Sequence, residues 1–150
     1  MIEKIYLDMD GVLCDFVGRY TTMFGVTPHE ARDSKMFFEH WKVFIETGQF
    51  ASLDWWPDGE ALYSFVDALN GPLEILTSSG GNQYHKEVAY QKEIWLKDKN
   101  IHHKVNVVGG KHSKALYATP NTILIDDTPE VIESFEKAGG IGILHKNFHE

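Results

Sequence analysis

Residues 5–11 read Ile-Tyr-Leu-Asp-Met-Asp-Gly, and this stretch decides the fold of the chain. Its first three residues are bulky and apolar, which is typical of a short strand buried on both faces. Asp8, Asp10 and Gly11 follow directly, so polar groups lie where the strand ends. A tight Asp-Gly turn would explain the pair of residues 10–11 alone. Open α/β sheets bind ligands at the carboxyl ends of their strands, so the stretch also predicts a site built on Asp8 and Asp10.

Four later apolar runs resemble the first one and predict four more buried strands. Apolar residues recur at helical spacing between the later runs, and Gly139-Gly140 is typical of a helix end. The alternation of strands with helices predicts an α/β fold with a five-stranded parallel sheet flanked by helices. The four runs are residues 73–76, 105–108, 123–125 and 141–144.

The first two strands are separated by residues 8–72, which is far more chain than one crossover helix needs. We therefore expect a small helical cap, residues 18–56, inserted after strand one. The whole chain, residues 1–150, is predicted to form one domain, with a core of residues 1–17 and 57–150.

The composition excludes several classes of protein. The chain has 14 Lys and Arg residues against 22 Asp and Glu residues, a formal charge of −8, whereas proteins that bind duplex nucleic acid carry a basic face. One cysteine cannot form an internal disulfide. No apolar run is long enough to span a membrane, and the acidic N-terminus does not resemble a targeting segment. We therefore expect a cytoplasmic protein with neither duplex nucleic acid nor a membrane as partner.

Polar groups also follow the other strands of the predicted sheet. Asp126 and Asp127 end the fourth strand; one of them can cap the helix that begins near Pro129, but a cap does not explain both. Four acids at two strand ends form a hard-oxygen site that suits Mg²⁺. The second strand ends in Thr77-Ser78-Ser79-Gly80, whose hydroxyl and N–H groups can hold an anion.

The third strand is followed by Lys111 and Lys114, either of which can neutralise a phosphoryl group. A helix is expected from Ala115 onward, with Ser113 as its N-cap. A lysine in that first turn would lie beside the anion-binding end of the helix, so Lys114 is favoured and Lys111 is the alternative.

In this order, the motifs resemble the haloacid dehalogenase-like (HAD) superfamily: Asp-x-Asp-Gly, then Thr/Ser, then Lys, then Asp-Asp. The resemblance spans nearly the whole chain and implies a Rossmann-like HAD fold and a phosphatase that uses Mg²⁺. It implies that Asp8 is the nucleophile, that Asp10 is the general acid and base, and that Thr77, Ser78 and Lys114 bind the phosphoryl group. Asp8, the backbone carbonyl of Asp10, and Asp127 would hold the metal, and Asp126 would support them.

Residues 8–16 and the segment Trp56-Pro57-Asp58-Gly59-Glu60-Ala61 are similar to the 5′(3′)-deoxyribonucleotidases. That resemblance implies a nucleotide as the small-molecule phosphomonoester and Phe16 as a substrate-binding aromatic residue. The second motif reads Thr-Ser-Ser-Gly where that family has Thr-Ser-Pro. The preferred base, the 5′ or 3′ position, the type of sugar and a homodimer are left open.

Two alternatives compete with the nucleotidase. The first is a HAD phosphatase for a sugar phosphate or a nucleic-acid phosphate end, with the same catalytic residues. The second is a receiver-like phospho-acceptor module without enzymatic turnover, which also places acids, Thr and Lys around Mg²⁺. In such a module the acid pair follows the first strand and the phosphorylated Asp follows the third, whereas here the pair of residues 126–127 follows the fourth strand.

Overall fold

A computed structural model describes residues 1–146 of the chain. Five strands form one sheet in which every neighbouring pair runs parallel. The predicted five-stranded parallel sheet is therefore confirmed. The strands are β1 (Lys4–Leu7), β2 (Leu73–Ser78), β3 (Val105–Val108), β4 (Thr122–Asp126) and β5 (Ile141–Leu144).

The strand order is β3-β2-β1-β4-β5, with β1 at the centre. The chain builds one side of the sheet through β2 and β3 and then crosses to the other side at β4. This reversal places a topological switch point between β1 and β4, where open α/β sheets bind their ligands. Receiver-like modules have the flavodoxin-like order 2-1-3-4-5, so the receiver-like alternative does not fit this sheet.

Helices fill the segment between β1 and β2, which confirms the predicted helical insert. The insert contains three α-helices and a 3₁₀ helix, and three further α-helices within residues 1–146 accompany the sheet. The helices of the insert are α1 (Phe16–Phe24), α2 (Pro28–Asp33), α3 (Phe37–Glu46) and the 3₁₀ helix Gln49–Ser52. The later helices are α4 (Gly59–Ala68), α5 (His85–Asp98) and α6 (Pro129–Lys137).

We predicted a helix from Ala115 onward with Ser113 as its N-cap, and this prediction is wrong. The structure has a 3₁₀ helix over Lys111–Tyr117 with no side-chain cap. Its short-range bonds begin at the carbonyl of Gly110, which accepts the N–H of Ser113 (3.0 Å). Ser113 therefore lies inside the helical turn and is not free to cap it.

The insert is fastened to α5 by buried hydrogen bonds. Gln91 donates through its amide to the carbonyl of Ile45 (2.8 Å) and accepts the N–H of Phe50 (3.1 Å). The Trp95 indole donates to the carbonyl of Leu53 (2.7 Å). Phe44 and Phe50 belong to the same buried cluster as the sheet residues Leu7 and Ile75, so one core spans the insert and the sheet. Within residues 1–146, no helix has the length and apolar character needed to cross a membrane.

Candidate active site

The register of β1 and β4 brings the predicted acids together. Leu7 pairs with Ile125, so Asp8 and Asp126, the next residues on each strand, emerge side by side. The N–H of Asp8 still donates to the Ile125 carbonyl (3.0 Å), which fixes the Asp8 backbone to β4. Carboxylate oxygens of Asp8, Asp126 and Asp127 all lie within 4.8 Å of one another.

Two separate features of this arrangement require a glycine at position 11. Its φ of +80° lies in the left-handed region, where a side chain is strained. A β-carbon at this position would also lie 2.0 Å from Asp127 Oδ2. A larger residue would therefore disturb the turn after β1 and displace Asp127 at the same time.

Lys114 links the end of β1 to the end of β4 through its ammonium group. Its ammonium donates to Asp8 Oδ1 (2.8 Å) and to Asp126 Oδ2 (2.7 Å). Burial of the side chain opposes its charge, but the carboxylates of Asp8 and Asp126 outweigh burial and raise the pKa of Lys114. Lys114 is therefore a buried cation held between the carboxylates of Asp8 and Asp126. Lys111 is exposed and lines the cavity that contains these carboxylates.

The carboxylates of the cluster differ in which of their oxygens already accept hydrogen bonds from the protein. Asp126 is engaged at both oxygens, since Oδ2 accepts Lys114 and Oδ1 accepts the N–H of Thr128 (3.0 Å). Asp8 Oδ2 accepts no hydrogen bond from a side chain or N–H within residues 1–146. Burial, together with the negative charge of Asp126, raises the pKa of Asp8 and raises that of Asp127 to about 6. The cluster consists only of hard oxygen donors that repel one another, which fits a small divalent cation such as Mg²⁺.

A second buried lysine, which the sequence interpretation missed, lies on the other side of Asp8. Lys92 of α5 donates to Thr77 Oγ1 (2.6 Å), to the Ser78 carbonyl (2.8 Å) and to Asp10 Oδ2 (3.1 Å). All three ammonium hydrogens are thereby used. Lys92 therefore holds Asp10 and the end of β2 in one arrangement. Its position one turn after Val88 and three residues before Trp95 is the signal that could have placed it on the buried face of α5.

Thr77 and Ser78 end β2 beside the carboxylates, as expected from the sequence. Thr77 is fully buried and is not among the residues that line the cavity. Its oxygen accepts Lys92, and its hydroxyl hydrogen has no acceptor among residues 1–146. Ser78 lines the cavity and accepts the N–H of Gly80 (3.1 Å). This turn directs the loop after β2 over the cavity.

Phe16, the predicted substrate-binding residue, lines the same cavity of about 320 Å³. One face of its ring stacks on Phe50, with centroids 5.6 Å apart, and its surroundings include Phe44 at 5.1 Å. Phe16 is therefore placed to form a wall of the site, with much of its ring already covered. Trp41 of α3, which belongs to none of the sequence motifs, also lines the cavity.

Comparisons with known proteins show a shared fold. No family model and no curated protein sequence matches this chain. A hydrolase from Streptococcus pneumoniae is 16% identical with a TM-score of 0.52, over 98% of this chain and 94% of its own. A hydrolase from Pseudomonas syringae is 15% identical with a TM-score of 0.54, over 94% of this chain and 82% of its own. CbbY from Rhodobacter sphaeroides, solved with phosphate, is 14% identical with a TM-score of 0.57, over 100% of this chain and 90% of its own. At these identities the likeness establishes the fold alone.

Proposed function

We propose that this chain is a Mg²⁺-dependent phosphatase of the HAD superfamily that hydrolyses small phosphomonoesters through an aspartyl-phosphate. The observation that carries the proposal is the convergence of Asp8, Asp126, Asp127 and Lys114 at the switch point between β1 and β4. Two of the similar structures are hydrolases and a third was solved with phosphate, which supports the same reaction class.

The reaction follows from the roles that the side chains can take. The free Oδ2 of Asp8 attacks phosphorus, the ester P–O bond breaks, and Asp10 gives its proton to the leaving oxygen. Water then attacks the phosphorus of the aspartyl-phosphate, Asp10 takes a proton from that water, and the bond to Asp8 breaks. Lys114 and the hydroxyl of Thr77 stabilise the charge that develops on the phosphoryl oxygens, and Ser78 binds beside them.

Asp8, the backbone carbonyl of Asp10, and Asp127 would hold the cation, with Asp126 supporting them through Lys114 and Thr128. When bound there, Mg²⁺ supplies charge neutralisation between the nucleophile and the phosphate.

We infer that the organic part of the substrate is a nucleoside. The support is the resemblance of residues 8–16 to the deoxyribonucleotidases, together with the aromatic rings of Phe16 and Trp41 beside the carboxylates. Stacking of a base on one aromatic side chain contributes about 1–3 kcal/mol. The test is phosphate release across deoxynucleoside, ribonucleoside and sugar monophosphates, first with Mg²⁺ and then with a chelator. Equal activity on nucleotides and sugar phosphates would remove the nucleotidase part, and full activity after exhaustive chelation would remove the metal.

Mg²⁺ is expected to raise the melting temperature, because a cation relieves the repulsion among three carboxylates. At a hundredfold excess over its Kd, a ligand stabilises the fold by about 2.7 kcal/mol, which corresponds to about 5–10 °C in a chain of this size. Thermal melts with and without Mg²⁺ measure this shift in the parent and in Asp127→Asn. The variant should lose most of the shift, whereas Asp67→Asn, at an exposed position, should keep it. An undiminished shift in Asp127→Asn would place the cation elsewhere.

Lys92→Met is expected to lower kcat/KM by about 10- to 100-fold, because it disorders Asp10 without removing it; general acid–base catalysis as a whole contributes about 10²–10⁴. The loss should be larger with an alkyl phosphate than with p-nitrophenyl phosphate, since nitrophenolate leaves without needing a proton. The matched control is Lys97→Met, an exposed lysine on the same helix. Equal losses on both substrates would mean that Lys92 only supports the fold.

A further inference from the structure

A second cavity of about 670 Å³ lies between the insert and the loop after β2. Helix α3 contributes aromatic side chains to one wall, and residues 80–84 form the other. Phe38 is 78% exposed at this cavity, although it is a large apolar residue. The aromatic residues of the cavity are Phe37, Phe38, Trp41 and Tyr84.

This outer cavity continues into the cavity that holds the carboxylates. Arg32, Trp41 and Gly80 line both of them. The chain at Gly80 lies directly against the indole, because a β-carbon at this glycine would be 2.9 Å from the Trp41 ring. A phosphomonoester whose phosphoryl group lies at Asp8 therefore has the outer cavity available for its leaving group.

The outer cavity is positively charged, in contrast to the rest of the chain. Of the residues that the structure describes, Arg32 and Lys35 contribute to its lining and no acidic residue does, although the chain carries a net charge of −8. Neither cation forms an ion pair within residues 1–146. Asp33, next to Arg32 in sequence, lies instead 3.6 Å from His29.

Arg32 is also held in a defined place. Its guanidinium carbon lies 4.1 Å from the centroid of the Phe37 ring, a cation–π contact that orients the group along the cavity wall. The planar guanidinium keeps donors for an anion while its face is covered. Because Arg32 lines both cavities, a leaving group that extends from the carboxylates into the outer cavity would lie beside it.

We propose that the outer cavity binds a second anionic group on the leaving group of the substrate, through Arg32 and Lys35. This inference rests on the proposed phosphatase function and specifies its substrate class: a phosphomonoester that carries another negative charge. A nucleoside with two separate phosphoryl groups combines that charge with a planar base for the aromatic wall. A longer nucleic-acid strand is disfavoured, because two local cations suit one further anion while the acidic chain repels a polyanion.

The test compares two esters of equal shape and different charge, 4-carboxyphenyl phosphate and 4-carbamoylphenyl phosphate. The measured quantity is the kcat/KM for the charged ester divided by the kcat/KM for the uncharged ester. This ratio should be about tenfold higher in the parent than in the Arg32→Gln, Lys35→Gln double variant. That factor corresponds to one charge-assisted hydrogen bond. The ratio in the double variant measures how much the two esters differ in reactivity without the two cations. Lys42→Gln, an exposed lysine of α3 outside both linings, should keep the ratio of the parent.

A second comparison uses a deoxynucleoside monophosphate, the corresponding 3′,5′-bisphosphate and a 5′-phosphorylated oligonucleotide. Preference for the bisphosphate, lost in the double variant, supports the proposal; preference for the oligonucleotide overturns the small-molecule assignment. If the parent hydrolyses both phenyl esters and its ratio equals that of the double variant, the anion site is wrong and the phosphatase stands. If the parent hydrolyses none of these compounds, the proposed function fails and the anion site with it.

Discussion

Asp8→Asn is expected to abolish turnover, with a loss of at least about 10⁴-fold in kcat, the scale seen when a covalent nucleophile is removed. The amide cannot attack phosphorus, and every later step of the proposed reaction needs an acyl phosphate on Asp8. Asparagine has nearly the same shape as aspartate, and Lys114 keeps Asp126 as a partner. The fold should therefore survive, with a melting temperature close to that of the parent.

The measurement is phosphate release from a nucleotide and from p-nitrophenyl phosphate, together with acid quenching and mass spectrometry to find the phosphorylated Asp8 peptide in the parent. Asp67→Asn serves as the control, because Asp67 is exposed and remote from the carboxylates. A folded Asp8→Asn protein with substantial activity would rule out the covalent route.

Lys114→Met is expected to have the second-largest effect, on rate and stability together. Removing one charged donor from a developing oxyanion costs about 10²–10³ in rate. The same change leaves the buried carboxylates of Asp8 and Asp126 without their shared cation, and breaking such a buried pair costs about 3–5 kcal/mol. The melting temperature should fall by about 10 °C.

Lys111→Met provides the matched control, since Lys111 is exposed and lines the same cavity. It should change kcat much less and leave the melting temperature nearly unchanged. Melts and rates are compared at saturating Mg²⁺, so that any difference in cation affinity does not enter. A larger loss for Lys111→Met would transfer the phosphoryl role to Lys111.

The sheet and its polar strand ends could be predicted because both depend on local sequence. Each strand is a short apolar run, and parallel strands place their carboxyl ends at one edge, so Asp8 and Asp126 had to meet if β1 and β4 were neighbours. The hydrogen bonds of Lys114 to both acids follow from that geometry.

Reasoning from strand ends does not reach Lys92, and a lysine on a helix is ordinarily solvated. Its spacing from Val88 and Trp95 indicates the buried face of α5 but not what the ammonium meets there. Its burial depends on the packing of α5 against β2, which brings the ammonium to Thr77 and Asp10. The helix at residues 111–117 was misjudged for a related reason. Ser113 has the chemistry of a cap, but the bond from its N–H to Gly110 begins the turn earlier.

The outer cavity lay beyond sequence reasoning altogether. Its walls come from α3 and from residues 80–84, which are far apart in the chain. Their approach depends on contacts such as Trp41 against Gly80. Hydrophobic periodicity indicates that a helix has a buried face, but it does not say which loop that face meets.

The attachment of the insert to α5 bears on how substrate enters and product leaves. Gln91 and Lys92 are consecutive residues, one bonded to Ile45 and Phe50 of the insert and the other to Asp10. Swinging the insert outward would break the buried bonds of Gln91 and expose part of the shared core. It would also displace the segment that holds Asp10, the proposed proton donor. Exchange with solvent should therefore proceed through the two connected cavities as they stand, and the rate of the catalytic cycle should not depend on a hinge.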